Sequence, residues 1–239
     1  MRFRSLAVGA CLASLVTGCA GVKTRSSQGP NDPLEPLNKK VFVFNQRLDE
    51  TILKPAATAY TDVTPLPLRL GVGNFFRNLK DIGVIANEGL QGRPVPALLE
   101  TARFLVNSTL GMLGFIDVAT PLGLSPHRAD FGQTLGVWGV PSGPYLVLPL
   151  FGPSDVRDGV GLIGDLYTNP ATYLTSSTAQ WDIYAVQTIN TRAQYLHQGA
   201  LLQMAAGGDE YAFVRAAFWQ KTQHAIDAHR NNGDRKADH

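Results

Sequence analysis

Along the first third of the chain, apolar residues recur at steps of three and four. Leu37, Val41, Phe44, Leu48 and Ile52 form one such series, the spacing of a single stripe on an α-helix. Phe42 and Val43 widen the stripe, while Lys39, Lys40, Arg47, Asp49 and Glu50 occupy the other side. Pro55 is expected to end this helix, since proline lacks the donor the ladder needs. After the turn TPLPLRL, the segment GVGNFFRNLKDIGVIANEGLQG predicts a second amphipathic helix, with Phe75 and Phe76 on it. Pro94 and Pro96 open a third. On it Leu98, Ala102, Leu105, Thr109 and Met112 share a face flanked by Leu99, Val106 and Leu113. Its second half is apolar nearly all round, as in a helix buried in protein or in membrane. Gly111 and Gly114 weaken its end.

Residues 104–152 carry only three charged residues, Asp117, Arg128 and Asp130. The stretch is too apolar for a solvated surface. It is also too broken by Pro141, Pro144, Pro149 and by glycines to span a bilayer, which takes roughly 20 unbroken apolar residues. It therefore reads as a buried core, an interfacial element, or both, with the helix from Phe104 to Phe115 buried. Tyr145 to Leu148 is the best extended segment. Beyond it, a helix is expected to start at Ser154 as N-cap and to stop before Pro170. Others follow from about Ser177 and across DEYAFVRAAFWQKTQHAIDA, and residues 229–239 read as a disordered tail. The fold class is mostly α, with little or no β.

Composition narrows the picture. Charged residues make up 17% of the 239, below the roughly 25% usual in soluble domains. A net charge of +2 with no Lys/Arg run leaves no footprint for nucleic acid. Arg2 and Arg4 followed by an apolar run from Leu6 to Val16 read as a signal peptide, residues 1–18. The run ends in Leu15, Val16, Thr17, Gly18 and Cys19, which looks like a bacterial lipobox. That resemblance implies cleavage before Cys19, a diacylglycerol on its sulfur and an acyl chain on its new amino group. Several acyl chains anchor where one does not. Ala20 rather than aspartate after the cysteine points to the outer membrane, and residues 19–30 read as a flexible, lipidated tether. A single domain is expected over 31–228.

Enzyme chemistry finds little to build on. Gly159, Gly161 and Gly164 match a dinucleotide fingerprint in spacing, but no strand precedes them and they fall inside a helix. Close helix packing is the better reading. No serine sits in G-x-S-x-G, and His127, His197, His224 and His229 are scattered without metal spacing. No metal or cofactor is expected beyond the lipid on Cys19, and the chain is not read as an enzyme. Charges inside apolar helices stand out instead: Asp165, Arg192 and Arg215, with Asp117 and Arg128 in the central block. Such charges are costly unless paired or facing water. They are either ion pairs tying helices together or the polar wall of a water-filled passage.

Asp32, Pro33, Leu34 and Glu35, followed by NKKVFVFN at 38–45, resemble the opening of the MlaA (VacJ) family of outer-membrane lipoproteins. Further matches follow in order: RF at 103–104, NSTLG at 107–111, GFIDVA at 114–119, FGQTLG at 131–136, GPY at 143–145 and TRAQ at 191–194. The resemblance implies a ring of amphipathic helices lying in the inner leaflet of the outer membrane and pierced by an amphipathic channel. It implies removal of mislocalised phospholipids from the outer leaflet, partnership with a trimeric porin, and delivery to the periplasmic lipid carrier MlaC. The lipid asymmetry of the outer membrane is maintained in this way. It further implies that the segment carrying Asn38, Phe42, Phe44 and Asn45 is where short deletions leave the channel leaky. A mobile hairpin is implied at Gly139, Pro141 and Gly143, where Pro141 stiffens a more glycine-rich pattern. Asp165 and Arg192 are candidate channel-lining residues from burial logic alone. The competing reading is a structural envelope lipoprotein that tethers a porin or the cell wall, with no lipid passage.

Overall fold

The chain takes the helical course its periodicity predicts, but with the amphipathic faces turned the other way. A computed structural model describes residues 32–173, 176–196 and 198–237, with side chains except at 200–203 and beyond 226. The signal peptide, Cys19 and the tether lie outside the described residues.

Helix α1 (Glu35–Leu48) passes without a break into a π-helical turn (Asp49–Leu53) and then into α2 (Lys54–Val63). Pro55 therefore does not end the helix. Its missing N–H and its ring would disrupt an α-ladder. The wider turn, closed by the Lys54 N–H reaching back to the Asp49 carbonyl, sets Pro55 in the first turn of α2, where no donor is needed. Pro65 then caps α3 (Leu66–Leu90), which pairs with α4 (Pro94–Thr109) as an antiparallel hairpin. Helix α5 (Phe131–Val137) leads to strand β1 (Tyr145–Leu148). Strand β2 (Gly152–Asp155) pairs antiparallel with β1, with Tyr145 opposite Asp155 and Leu148 opposite Gly152.

Helix α6 (Val156–Thr168) starts one residue later than expected. Asp155 is its N-cap, accepting 2.7 Å from the Asp158 N–H, while the Ser154 hydroxyl donates to the Asp155 carbonyl instead. A 3-10 turn (Pro170–Tyr173), α7 (Ser177–Gln194), α8 (Gln198–Ala206) and α9 (Glu210–Ala237) complete the chain. Helix α9 runs through 229–237, the stretch whose polar composition predicts a disordered tail. No proline interrupts it there.

The apolar stripes face out. Leu37, Phe44 and Ile52 are about half exposed, and Leu98, Met112 and Leu113 close to 70% exposed. The helix expected to lie buried from Phe104 to Phe115 ends at Thr109, and its leucines point away from the protein. What is buried is polar. Asn78, Asp81, Asn87 and Glu88 on α3 face Glu100, Arg103 and Asn107 on α4. The apolar core among the described residues is small: Tyr145, Val147 and Tyr211, with Val41, Phe42, Phe218 and Trp219 packed against it. Tyr145 meets Phe218 at 5.6 Å between ring centroids, and Phe42 meets Tyr211 edge-on at 5.7 Å. Such pairs add to their burial. No described helix is long and apolar enough to cross a membrane.

The helix-packing reading of Gly161 and Gly164 holds. A Cβ on Gly161 would lie 2.4 Å from the Gly132 nitrogen, and one on Gly164 would strike the Phe131 ring at 2.5 Å, so α5 and α6 meet at backbone distance.

Candidate functional site

Two asparagines a heptad apart on α1 face the hairpin and complete its edge. Asn38 donates to the Tyr145 carbonyl and accepts from the Val147 N–H, both at 2.9 Å. Asn45 donates to the Leu148 carbonyl at 3.0 Å and accepts from the Leu150 N–H at 2.9 Å. A carboxamide sets an N–H and a C=O side by side with the geometry of a peptide group, so each side chain stands in for a neighbouring strand, and the Asn38 nitrogen also donates to Asp32 at 2.9 Å. Seven residues on a helix return to nearly the same face. Of the implied segment, Asn38, Phe42 and Asn45 thus turn toward the fold, and Phe44 turns out.

The hairpin carries its tip into a cavity of about 580 Å³. Phe151, next to Leu150 with its left-handed φ of 70°, is part of the wall. The remaining wall comes from the π turn, α3, α6 and α7. Leu53, Phe76, Leu79, Val84 and Leu162 supply apolar lining, and Lys80, Asp165, Thr188, Thr191 and Arg192 supply polar lining. The two charges singled out in the sequence, Asp165 and Arg192, are brought to the same cavity.

Each is held. The Asp165 Oδ1 accepts 2.9 Å from the Phe131 N–H and 3.2 Å from Asn87, itself joined through Thr134 to Gln91. Burial pushes the Asp165 carboxyl up, against the pull of those donors. Arg192 grips Asp49, at the start of the π turn, with Nε at 2.5 Å and Nη2 at 2.8 Å. Its guanidinium is raised by that pairing. Arg215 pairs with Asp32 at 3.5 Å, and Asp117 with Arg103 at 3.0 Å. Among these embedded charges the ion-pair account therefore applies alongside the polar wall.

Gly139, Pro141 and Gly143 do not form a hairpin. They lie in the connection from α5 to β1, and none lines the cavity. The hairpin is the β1–β2 pair that follows. Gly139 and Gly143 take φ of +91° and +74°, which an L side chain adopts only with strain. The connection is thus bent by its glycines just before the strand that Asn38 grips.

Beyond the cavity lies a charged cluster that apolar periodicity does not reveal. Arg103, 1% exposed, donates to Thr120 at 2.7 Å, to the Leu124 carbonyl at 2.8 Å and to Asp117 at 3.0 Å. Asp81 and Glu100 lie 3.8 and 4.0 Å from its Nε, and Glu100 also holds His127 at 2.9 Å. One guanidinium thus stands among three carboxylates. The signal was there in the spacing Glu100, Arg103, Asn107, a polar stripe at steps of three and four inside an apolar helix.

Burial and the neighbouring Glu100 push Asp81 up to about 7, with Arg103 opposing. For Asp117 burial also acts upward, but hydrogen bonds from Thr120 and Arg103 prevail and bring it down to about 2. A carboxyl raised in the folded state contributes stability that is present below its unfolded value and lost as pH rises to the folded one. The melting temperature of the detergent-solubilised protein is therefore expected to fall from about pH 4 to about pH 7. Asp155, raised to about 6 mainly by burial, acts in the same direction. Asp81→Asn should flatten part of that slope. An unchanged slope in the variant counts against Asp81 as its source.

The comparisons agree on one family. The model of the MlaA lipoprotein family matches residues 30–225. The Intermembrane phospholipid transport system lipoprotein MlaA of Escherichia coli (strain K12) is 39% identical over 229 residues, covering 92% of this chain and 87% of that protein. Its namesake in Haemophilus influenzae is 31% identical over 95% of this chain and 92% of that one. A solved structure reported as the structural basis for maintenance of bacterial outer membrane lipid asymmetry superposes with a TM-score of 0.72 at 37% identity. It covers 82% of this chain and 100% of its own. With most of its length matched by the family model, the chain belongs to the MlaA lipoprotein family.

Proposed function

We propose that this protein removes mislocalised phospholipids from the outer leaflet of a Gram-negative outer membrane and passes them on for return, so keeping that membrane asymmetric. The observation that carries the reading is the reversed amphipathicity around a two-natured cavity. Leucines, phenylalanines and methionines cover the outside, where lipid tails can cover them, while asparagines and ion pairs fill the inside. A diacyl lipid moving through needs an apolar surface for its tails and a polar one for its head, and the cavity offers both. The relatives named for intermembrane phospholipid transport support the assignment.

The finer parts belong to the same proposal. Acyl chains on Cys19 hold the chain on the periplasmic face, with the helices in the inner leaflet and a trimeric porin beside them. The lipid leaves to the soluble carrier MlaC. Gly139, Pro141 and Gly143 act as the hinge of the hairpin that carries Phe151, a role their bent backbone supports. No bond is made or broken, so no residue is assigned a catalytic role.

The test is the amount of phospholipid in the outer leaflet of cells with and without the gene, read by an outer-leaflet acyltransferase or phospholipase. Deletion is expected to raise it several-fold, and the intact gene to restore it. Equal levels would overturn the transport reading in favour of a purely structural lipoprotein.

A further inference from the structure

We propose that the cavity seats the head group of a zwitterionic aminophospholipid, with its phosphate on Lys80 and its ammonium on Asp165. This rests on the transport reading and adds the class of head group and the two residues that recognise it.

Three side chains with formal charge face the cavity: Lys80 from α3, Asp165 from α6 and Arg192 from α7. Arg192 is spoken for. Its Nε and Nη2 both close on Asp49, so its charge is already paired within the protein. Lys80 makes no ion pair within 4.0 Å among the described residues, although other cations of the fold do: Arg103, Arg157, Arg192 and Arg215 each hold a carboxylate. Asp165 is the converse. Its Oδ1 carries both of its hydrogen bonds, from Phe131 and Asn87, and neither donor is a cation. No described group donates to its Oδ2. The wall therefore holds one cation and one carboxylate that act on each other at longer range, with neither in contact with a group of opposite charge.

Their placement fits one ligand. Asn87 meets Asp165 at 3.2 Å, while a Cβ on Gly83 would meet the Thr168 hydroxyl at 3.0 Å. Helices α3 and α6 thus run antiparallel here, and Lys80 lies about seven residues along α3 from the level of Asp165, roughly 10 Å of helix rise. Lys80 and Asp165 make no contact ion pair, although the Lys80 charge still favours the Asp165 carboxylate. The separation leaves room for a phosphate and an ammonium joined by a two-carbon link to sit between them. The missing Cβ at Gly83 lets the helices approach, and Leu79, Phe76 and Leu162 continue the wall in apolar form for the tails. An anionic head group with no ammonium would satisfy Lys80 and leave Asp165 facing its own charge.

The full-length lipidated protein, purified in detergent, is to be examined by native mass spectrometry. It is titrated separately with phosphatidylethanolamine and phosphatidylglycerol. Wild type is expected to favour phosphatidylethanolamine. Lys80→Gln should weaken both lipids by about tenfold, the effect of one charge-assisted hydrogen bond in a partly dry site. Asp165→Asn should weaken phosphatidylethanolamine by about tenfold and leave phosphatidylglycerol unchanged or tighter, so that selectivity reverses. The asparagine keeps the Oδ1 acceptor for Phe131. If its melting temperature nevertheless drops, exposed Lys80 carries the test through Lys80→Gln and Lys80→Glu, of which the latter should lose both lipids. Both lipids bound as in wild type by the Lys80 variants overturns the seat and leaves the transport reading standing. Neither lipid bound by wild type removes both.

Discussion

Arg103→Met is expected to lower the unfolding free energy by about 3–5 kcal/mol, the usual consequence of deleting one partner of a buried charged group. Asp81 and Glu100 would lose the guanidinium between them, and Asp117 would keep only the more exposed Arg77 at 3.9 Å. The Arg103 side chain also holds the loop after α4 through Thr120 and the Leu124 carbonyl, so the loop should loosen together with the helix pair. Arg103→Lys should fall between, since an ammonium keeps the charge but cannot reach those acceptors as a planar fork. Denaturant unfolding in detergent, followed by far-UV circular dichroism, measures the difference. A loss below about 1 kcal/mol for the methionine variant would mean that the carboxylates are compensated by something other than Arg103.

The second large effect is expected at Asn38. Asn38→Leu keeps the volume but orphans the Tyr145 carbonyl and the Val147 N–H, both buried, at about 1–3 kcal/mol for each. Asn45→Leu removes the same pair of bonds from Leu148 and Leu150, but there water can replace them, since Leu150 is 70% exposed. Asn38→Leu should therefore lower the melting temperature distinctly more than Asn45→Leu. Because the hairpin carries Phe151 into the cavity wall, it should also disturb outer-membrane lipid asymmetry at normal protein level. Equal effects of the two substitutions would remove burial as the reason for the difference.

Much of this fold was legible in the sequence, and most of the part that was not shares one cause. The periods of α1, α3 and α4 give helices at the right places, and the short apolar run Tyr145, Leu146, Val147 and Leu148 marks the strand. Periodicity says that a helix has two faces, but not which of them faces the protein. That choice depends on what solvates the outside, and in lipid the leucine face is the outer one. The same ambiguity hid Glu100 and Arg103, since a polar face on a helix does not by itself say whether it meets water or the protein. Asp165 and Arg192 were legible because charges are costly among apolar residues wherever the solvent lies. Asn38 and Asn45 could be singled out only through the family resemblance, since their work depends on a strand more than 100 residues away. The shift from Ser154 to Asp155 as N-cap is a single residue, finer than spacing resolves.

The π turn at Asp49–Leu53 has a consequence for length. Such a turn amounts to one residue more than a regular helix of the same rise would hold, and each residue turns an α-helix by about 100°. It therefore sets the phase between the asparagine face of α1 and the face of α2 that carries Ala57 and Tyr60 inward. Removing one residue from the turn would straighten it into an α-ladder and swing Asn38 and Asn45 about a quarter-turn away from the hairpin. Removing two between Asn38 and Asn45 would swing Asn38 more than half a turn while Asn45 stayed in place. Side-chain substitutions in this stretch subtract a contact, whereas deletions rotate every contact upstream of them. On this geometry the counting of residues between Asn38 and Ala57 matters more than the identity of most of them.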